Sequence, residues 1–158
     1  MVEDLPARTR TLVSPGRNTS STVRASLWQR YYSRWEDVTR QHLDPALLEL
    51  MPSLANLCPP AKIIDKTRYS AFAEPNLPEL LHAIEPDGLI VTGSETDVCV
   101  LATVLGAVDL GYRVIVVQDA VCSSSDQGHD ALITLFRQRY TEQIEVADAA
   151  VIMERWES

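Results

Sequence analysis

The stretch Leu89-Ile90-Val91-Thr92-Gly93-Ser94-Glu95-Thr96-Asp97-Val98-Cys99-Val100, continued by LATVLGAVDLGYRVIVVQ to Gln118, decides the fold. Leu89 to Thr92 is a continuous apolar run between Gly88 and Gly93, which reads as a strand buried on both faces. Asp97 to Leu110 carries helical periodicity and closes at Gly111, the residue type favoured just past a helix end. Arg113 to Gln118 (RVIVVQ) is a second buried strand. Strand, helix and strand without polar alternation describe a parallel β-α-β unit.

Outward from this unit the alternation continues. Upstream, Ala61 to Asp65 reads as a strand entered through Pro59-Pro60, and Pro78 to Ile84 as a short helix. Downstream, Asp130 to Tyr140 reads as a helix, Glu145 to Ala147 as a short strand and Ala149 to Trp156 as a last helix. Nearer the amino terminus, Leu27 opens a helix with Trp28, Tyr31, Tyr32 and Trp35 at i, i+3, i+4 and i+7. A second helix follows Asp44, with Pro45 in its first turn. Residues 1–26 are irregular, with a short strand possible at Thr11 to Ser14. The expected fold is α/β: a three-layer sandwich with a mainly parallel, Rossmann-like sheet in a single domain over residues 1–158.

Composition narrows the function classes. Of 158 residues, 46% are hydrophobic and 23% charged, as in an ordinary globular domain. The formal net charge of −8 argues against binding nucleic acid, which requires clustered Lys and Arg. No apolar run is long enough for a membrane span and MVEDLPARTR is not a signal peptide, so a cytoplasmic protein without membrane association is expected. Cys58, Cys99 and Cys122 form neither a disulfide framework nor a zinc pattern. His42, His82 and His129 lack ligand spacing and read as surface or capping residues, so neither a metal nor another cofactor is expected.

Ligands of open parallel sheets bind outside the carboxyl ends of the strands. Two segments fall there: Ile64-Asp65-Lys66-Thr67-Arg68-Tyr69-Ser70-Ala71-Phe72 and the passage from Val91 to Val100. The second places Cys99 in the first turn of a helix, where free N–H groups and the helix dipole favour a thiolate and an oxyanion. The other two cysteines read as small buried hydrophobes. Of the 14 basic residues only Lys62 and Lys66 are lysine. Where arginine serves nearly all basic positions, a lysine more often has a specific task, because only lysine titrates readily when buried.

DKTRYSAF followed by VTGSETDVCVLATVLGAVDLGYRVIVVQDAVCSSS resembles the isochorismatase-like cysteine hydrolases, over about Leu27 to Val151. The resemblance implies Cys99 as nucleophile and Lys66 as its catalytic partner. It implies a cis peptide between Ser94 and Glu95, with the N–H groups of Glu95 and Cys99 as the oxyanion hole. Asp119 and Ser123 to Ser125 would form a strand-end turn beside the site. Tyr69, Phe72, Trp28 and Tyr32 are candidates for the substrate pocket. The family's central first strand, which ends in a catalytic aspartate, has no counterpart before Lys66. The histidine and aspartate metal cluster of the nicotinamidase branch is likewise without a match over Ser14 to Ser26. The implied activity is hydrolysis of a C–N bond in a small amide or ureide, because acyl transfer is the chemistry that uses a thiol nucleophile. The alternative is a catalytically impaired relative that serves as a binding or assembly subunit. A homodimer or larger homo-oligomer is expected, because an uncovered sheet edge and an aromatic helix both invite pairing.

Overall fold

The computed structural model describes residues 8–10, 29–38, 42–66 and 68–156. The chain forms two compact units, Met1–Arg68 and Tyr69–Ser158.

In the first unit, β1 (Arg8–Arg10) pairs in parallel with β2 (Ile63–Asp65), Thr9 opposite Ile64. The residues Thr11 to Ser14, where a short strand is expected, fall outside the described ones. Helix α1 covers residues 29–34; Tyr31 and Tyr32 are half-buried and meet edge to face, with ring centroids 5.5 Å apart. Trp35 is largely exposed, with the Arg34 guanidinium 5.7 Å from its ring; Trp28 is outside the described residues. The helix expected after Asp44 is a 3-10 turn, Pro45–Leu48, followed by the four-residue α2, Pro52–Ala55. Asp44 caps the first of these by accepting from the Ala46 N–H at 2.9 Å. Along β2 the burial alternates: Ile63 and Asp65 are exposed, Ile64 and the following Lys66 buried. A period of two puts Asp65 and Lys66 on opposite faces.

The second unit is a β-α-β-α-β-α series. After a 3-10 turn at Ala71–Ala73 come α3 (Asn76–Ile84), β3 (Leu89–Ser94) and α4 (Leu101–Asp109). They are followed by β4 (Val114–Cys122), α5 (Asp126–Arg139), β5 (Ile144–Ala147) and α6 (Ala149–Trp156). The sheet order is β3-β4-β5, all parallel, with Val91 opposite Val116 and Val116 opposite Val146. Val114, Val116 and Ile144 pack with Val104 and Ala107 of α4 and with Ile133 and Phe136 of α5. Phe136, Val104, Val114 and Val116 are fully buried. The opposite face carries Ile90, Ile115 and Ala147, which line a cleft with Val151, Ile152 and Trp156 of α6. Helices on both faces are what strands without polar alternation require.

Helix α4 ends as its sequence dictates. Gly111 has φ +85°, Gly111 N–H donates to Val108 O at 2.9 Å and Tyr112 N–H to Ala107 O at 3.0 Å. This is the Schellman pattern, in which a left-handed glycine lets two orphan carbonyls find donors. Strand β4 runs to Cys122, four residues past the expected Gln118, because its register with β3 slips. Val91 faces Val116, but Gly93, two residues on, faces Val121, five residues on. The extra residues bulge, leaving Asp119 and Ala120 exposed, before Ser94 and Cys122 pair again. The bulge thus brings the end of β4 level with the turn that leaves β3. Among the described residues no helix is long and apolar enough to cross a membrane.

Candidate active site

Thr92, Gly93 and Ser94 are exposed at the carboxyl end of β3, and the peptide joining Ser94 to Glu95 is cis. The chain then makes a π-helical turn, Thr96–Val100, before α4 begins. Its wide ring is closed by Val100 N–H to Glu95 O, 3.0 Å, and by Leu101 N–H to Thr96 O. Cys99 lies inside this turn and is half-buried. The sequence shows a plain helix here, because buried Thr96, Val100, Val104 and Ala107 recur at spacings that α-helical periodicity already explains. Single π-turns within helices occur frequently at functional sites.

The end of β4 fastens this turn. The Glu95 carboxylate accepts from Ser124 N–H at 2.7 Å, from Ser124 Oγ–H at 2.7 Å and from Ser123 Oγ–H at 3.0 Å. Ser123 Oγ also lies 2.5 Å from Asp97 Oδ1. One hydroxyl proton therefore serves two carboxylates. Ser125 caps α5 by accepting from Gly128 N–H at 3.0 Å. Gly128 allows a close approach: a Cβ there would run into the Asp97 carboxylate. Asp119 accepts from Ala149 N–H at 2.8 Å and so starts α6.

The Ser124 amide holds the Glu95 carboxyl below its ordinary value of 4.5, helped by the Ser124 and Ser123 hydroxyls and opposed by burial and by Asp97. A depressed folded-state value contributes stability that is present above 4.5 and lost as pH falls through the folded value. The thermal midpoint of the wild type should therefore fall more steeply on acidification below about pH 5 than that of Glu95→Gln, which has no such proton to gain. Parallel midpoint–pH curves for the two would show that the serine contacts do not bias the carboxylate.

The remaining candidates lie as follows. Lys66, in the first unit, is 4% exposed and donates from Nζ to Arg68 O at 2.9 Å. Tyr32, in the same unit, has its phenol pushed up by burial and by Tyr31. Tyr69 is at the edge of exposure. Phe72 stacks on Tyr112 with centroids 6.2 Å apart and packs over Gly106, so its ring serves the core of the second unit. Cys58 is half-buried, its Sγ 3.8 Å from Leu54 O. Cys122 is exposed, where a buried hydrophobe is the expectation, because it follows the β4 bulge. His42 and His82 are exposed. His129 is half-buried, with Nδ1 3.0 Å from Thr96 Oγ1, a contact spanning 33 positions that no local pattern reveals. Among the described residues no three or more His, Cys, Asp or Glu side chains come together as a metal site.

The isochorismatase domain model matches residues 7–148, across both units. The chain belongs to the isochorismatase family. It is 36% identical over 81 residues to the uncharacterized isochorismatase family protein PncA of Bacillus subtilis, covering 51% of this chain and 44% of that one. It is 30% identical over 87 residues to maleamate amidohydrolase of Pseudomonas putida, covering 55% of this chain and 41% of the relative. The matches thus span less than half the length of these curated relatives. Among solved structures it is similar to a cysteine hydrolase from Pseudomonas syringae pv. phaseolicola, with TM-score 0.72 and 25% identity over 94% of this chain and 70% of that one.

Proposed function

We propose that the protein is a cysteine hydrolase that cleaves a C–N bond in a small amide or ureide. The observation that carries this reading is the half-buried Cys99 thiol in a widened turn between the exposed end of a parallel strand and the helix behind it. Strand ends of this kind are where open α/β sheets bind ligands. Similarity to a maleamate amidohydrolase and to a cysteine hydrolase supports the same chemistry.

In the proposed reaction Cys99 Sγ, as thiolate, adds to the substrate carbonyl and forms a C–S bond. The oxygen that gains charge is received by the N–H groups of Glu95 and Cys99, fixed donors whose loss typically costs ~10²–10³-fold in related chemistry. The C–N bond then breaks and the amine departs with a proton taken from a water molecule, which leaves hydroxide. That hydroxide adds to the thioester, the C–S bond breaks, and the carboxylate leaves with the thiol restored. By the family resemblance, Lys66 takes the role of the lysine that favours the anionic thiol. The Glu95–Ser124 and Glu95–Ser123 bonds keep the oxyanion donors from drifting, because they anchor the residue that provides one of them.

The test has two arms. Ammonia release is followed across a panel of small amides and ureides that includes nicotinamide and maleamate. Mass mapping after exposure to an activated acyl ester then seeks an adduct on the Cys99 peptide. Release from at least one panel member with acylation at Cys99 is expected. No release and no adduct would overturn the hydrolase reading and favour a binding or assembly subunit.

A further inference from the structure

We propose that His129 is a positioning residue that holds the Cys99-bearing turn through the hydroxyl of Thr96, an inference that rests on Cys99 being the nucleophile. Thr96 opens the π-helical turn and is wholly buried at 0% exposure. Its carbonyl closes the wide ring by accepting from Leu101 N–H, while its hydroxyl lies 3.0 Å from His129 Nδ1. One residue therefore joins the turn to α4 through its backbone and to α5 through its side chain. A buried hydroxyl without a partner is costly, so the turn is stable only in the place where His129 meets it.

His129 is itself anchored. Its N–H donates to Ser125 O at 2.9 Å, within the capped first turn of α5. On that helix Ile133 and Phe136, at i+4 and i+7 from His129, are the buried core residues. His129 thus continues the buried stripe of α5, and at this one position the stripe is polar. An apolar residue would suit the stripe and leave Thr96 unpaired. The imidazole is explained by what the turn needs rather than by what the helix needs. Cys99 sits three residues after Thr96, inside the ring that the Thr96 carbonyl closes, so a shift of Thr96 moves the thiol directly.

The test uses the full chain and four variants. His129→Leu and Thr96→Val each delete the bond, the double variant deletes it once, and His129→Asn can return an amide to the position of Nδ1. Amide hydrogen exchange over residues 95–101 is read together with the rate of Cys99 alkylation by iodoacetamide, well below each thermal midpoint. Each single deletion should speed local exchange and slow alkylation by about tenfold, the scale of one lost hydrogen bond. The double variant should match the singles and His129→Asn should recover most of the loss. If His129→Leu does not fold, Thr96→Val against Thr96→Ser carries the same comparison.

Additive effects in the double variant, or lowered midpoints with unchanged exchange and alkylation, would overturn the inference and leave His129 as ordinary packing. If wild-type Cys99 is alkylated no faster than Cys58, it is the hydrolase reading that fails. The exchange arm then still decides whether His129 holds the turn.

Discussion

Cys99→Ala is expected to lower turnover of the best amide substrate by ~10⁴-fold or more, the scale on which removal of a catalytic nucleophile acts. The thermal midpoint should move little, because the side chain is half-buried and leaves no large cavity. Before any substrate is known, the three thiols of the wild type can be ranked by alkylation near neutral pH. Access alone would put exposed Cys122 first. Labelling of Cys99 ahead of Cys122 would therefore report intrinsic reactivity, since thiolate character rather than exposure must then set the order. Labelling of Cys122 first with Cys99 inert, or full turnover by Cys99→Ala, would remove the nucleophile from the mechanism.

The parts of the fold that were legible in the sequence are those whose residues meet a single demand. Leu89 to Val91 and Val114 to Val117 must be apolar because parallel strands are covered on both faces, and Gly111 must be glycine because the end of α4 needs a left-handed residue. Strand β1 was not legible. Arg8-Thr9-Arg10 has no strand pattern, and pairing with Ile63 to Asp65 makes it a strand. The last four residues of β4 were hidden for a related reason, since the register slip at Val116 to Val121 depends on where Gly93 and Ser94 lie.

The site divides along the same line. Cys99 stands out by its place at a strand-to-helix turn, and Lys66 because arginine fills all but two of the 14 basic positions. The serines that bind Glu95 and the histidine that meets Thr96 are 28 to 33 positions away from their partners. The serines fit any capped helix start, which is how Ser125 is in fact used. Only the fold shows which of them face the turn.

Lys66→Met should lower amide turnover by ~10²–10³-fold, the range for removing one preorganised charge or donor, while leaving stability close to that of the wild type. The two halves of this expectation come from different physics. The Lys66 ammonium is 4% exposed, and burying a charge is costly unless it is well paired. Its contacts, the bond to Arg68 O at 2.9 Å among them, offset that cost. Methionine has nearly the same length and no charge to desolvate, and water can reach the backbone near exposed Arg68. Lys66→Arg should not rescue, because a planar guanidinium cannot fill the place of a compact ammonium. Lys62, the other lysine in the chain and an exposed one, supplies the control: Lys62→Met should leave turnover and midpoint unchanged. Calorimetry and steady-state rates on the three variants separate the cases. Wild-type turnover with a lowered midpoint in Lys66→Met would make Lys66 a structural residue, and the proposed Cys99 chemistry would then need another source of positive charge.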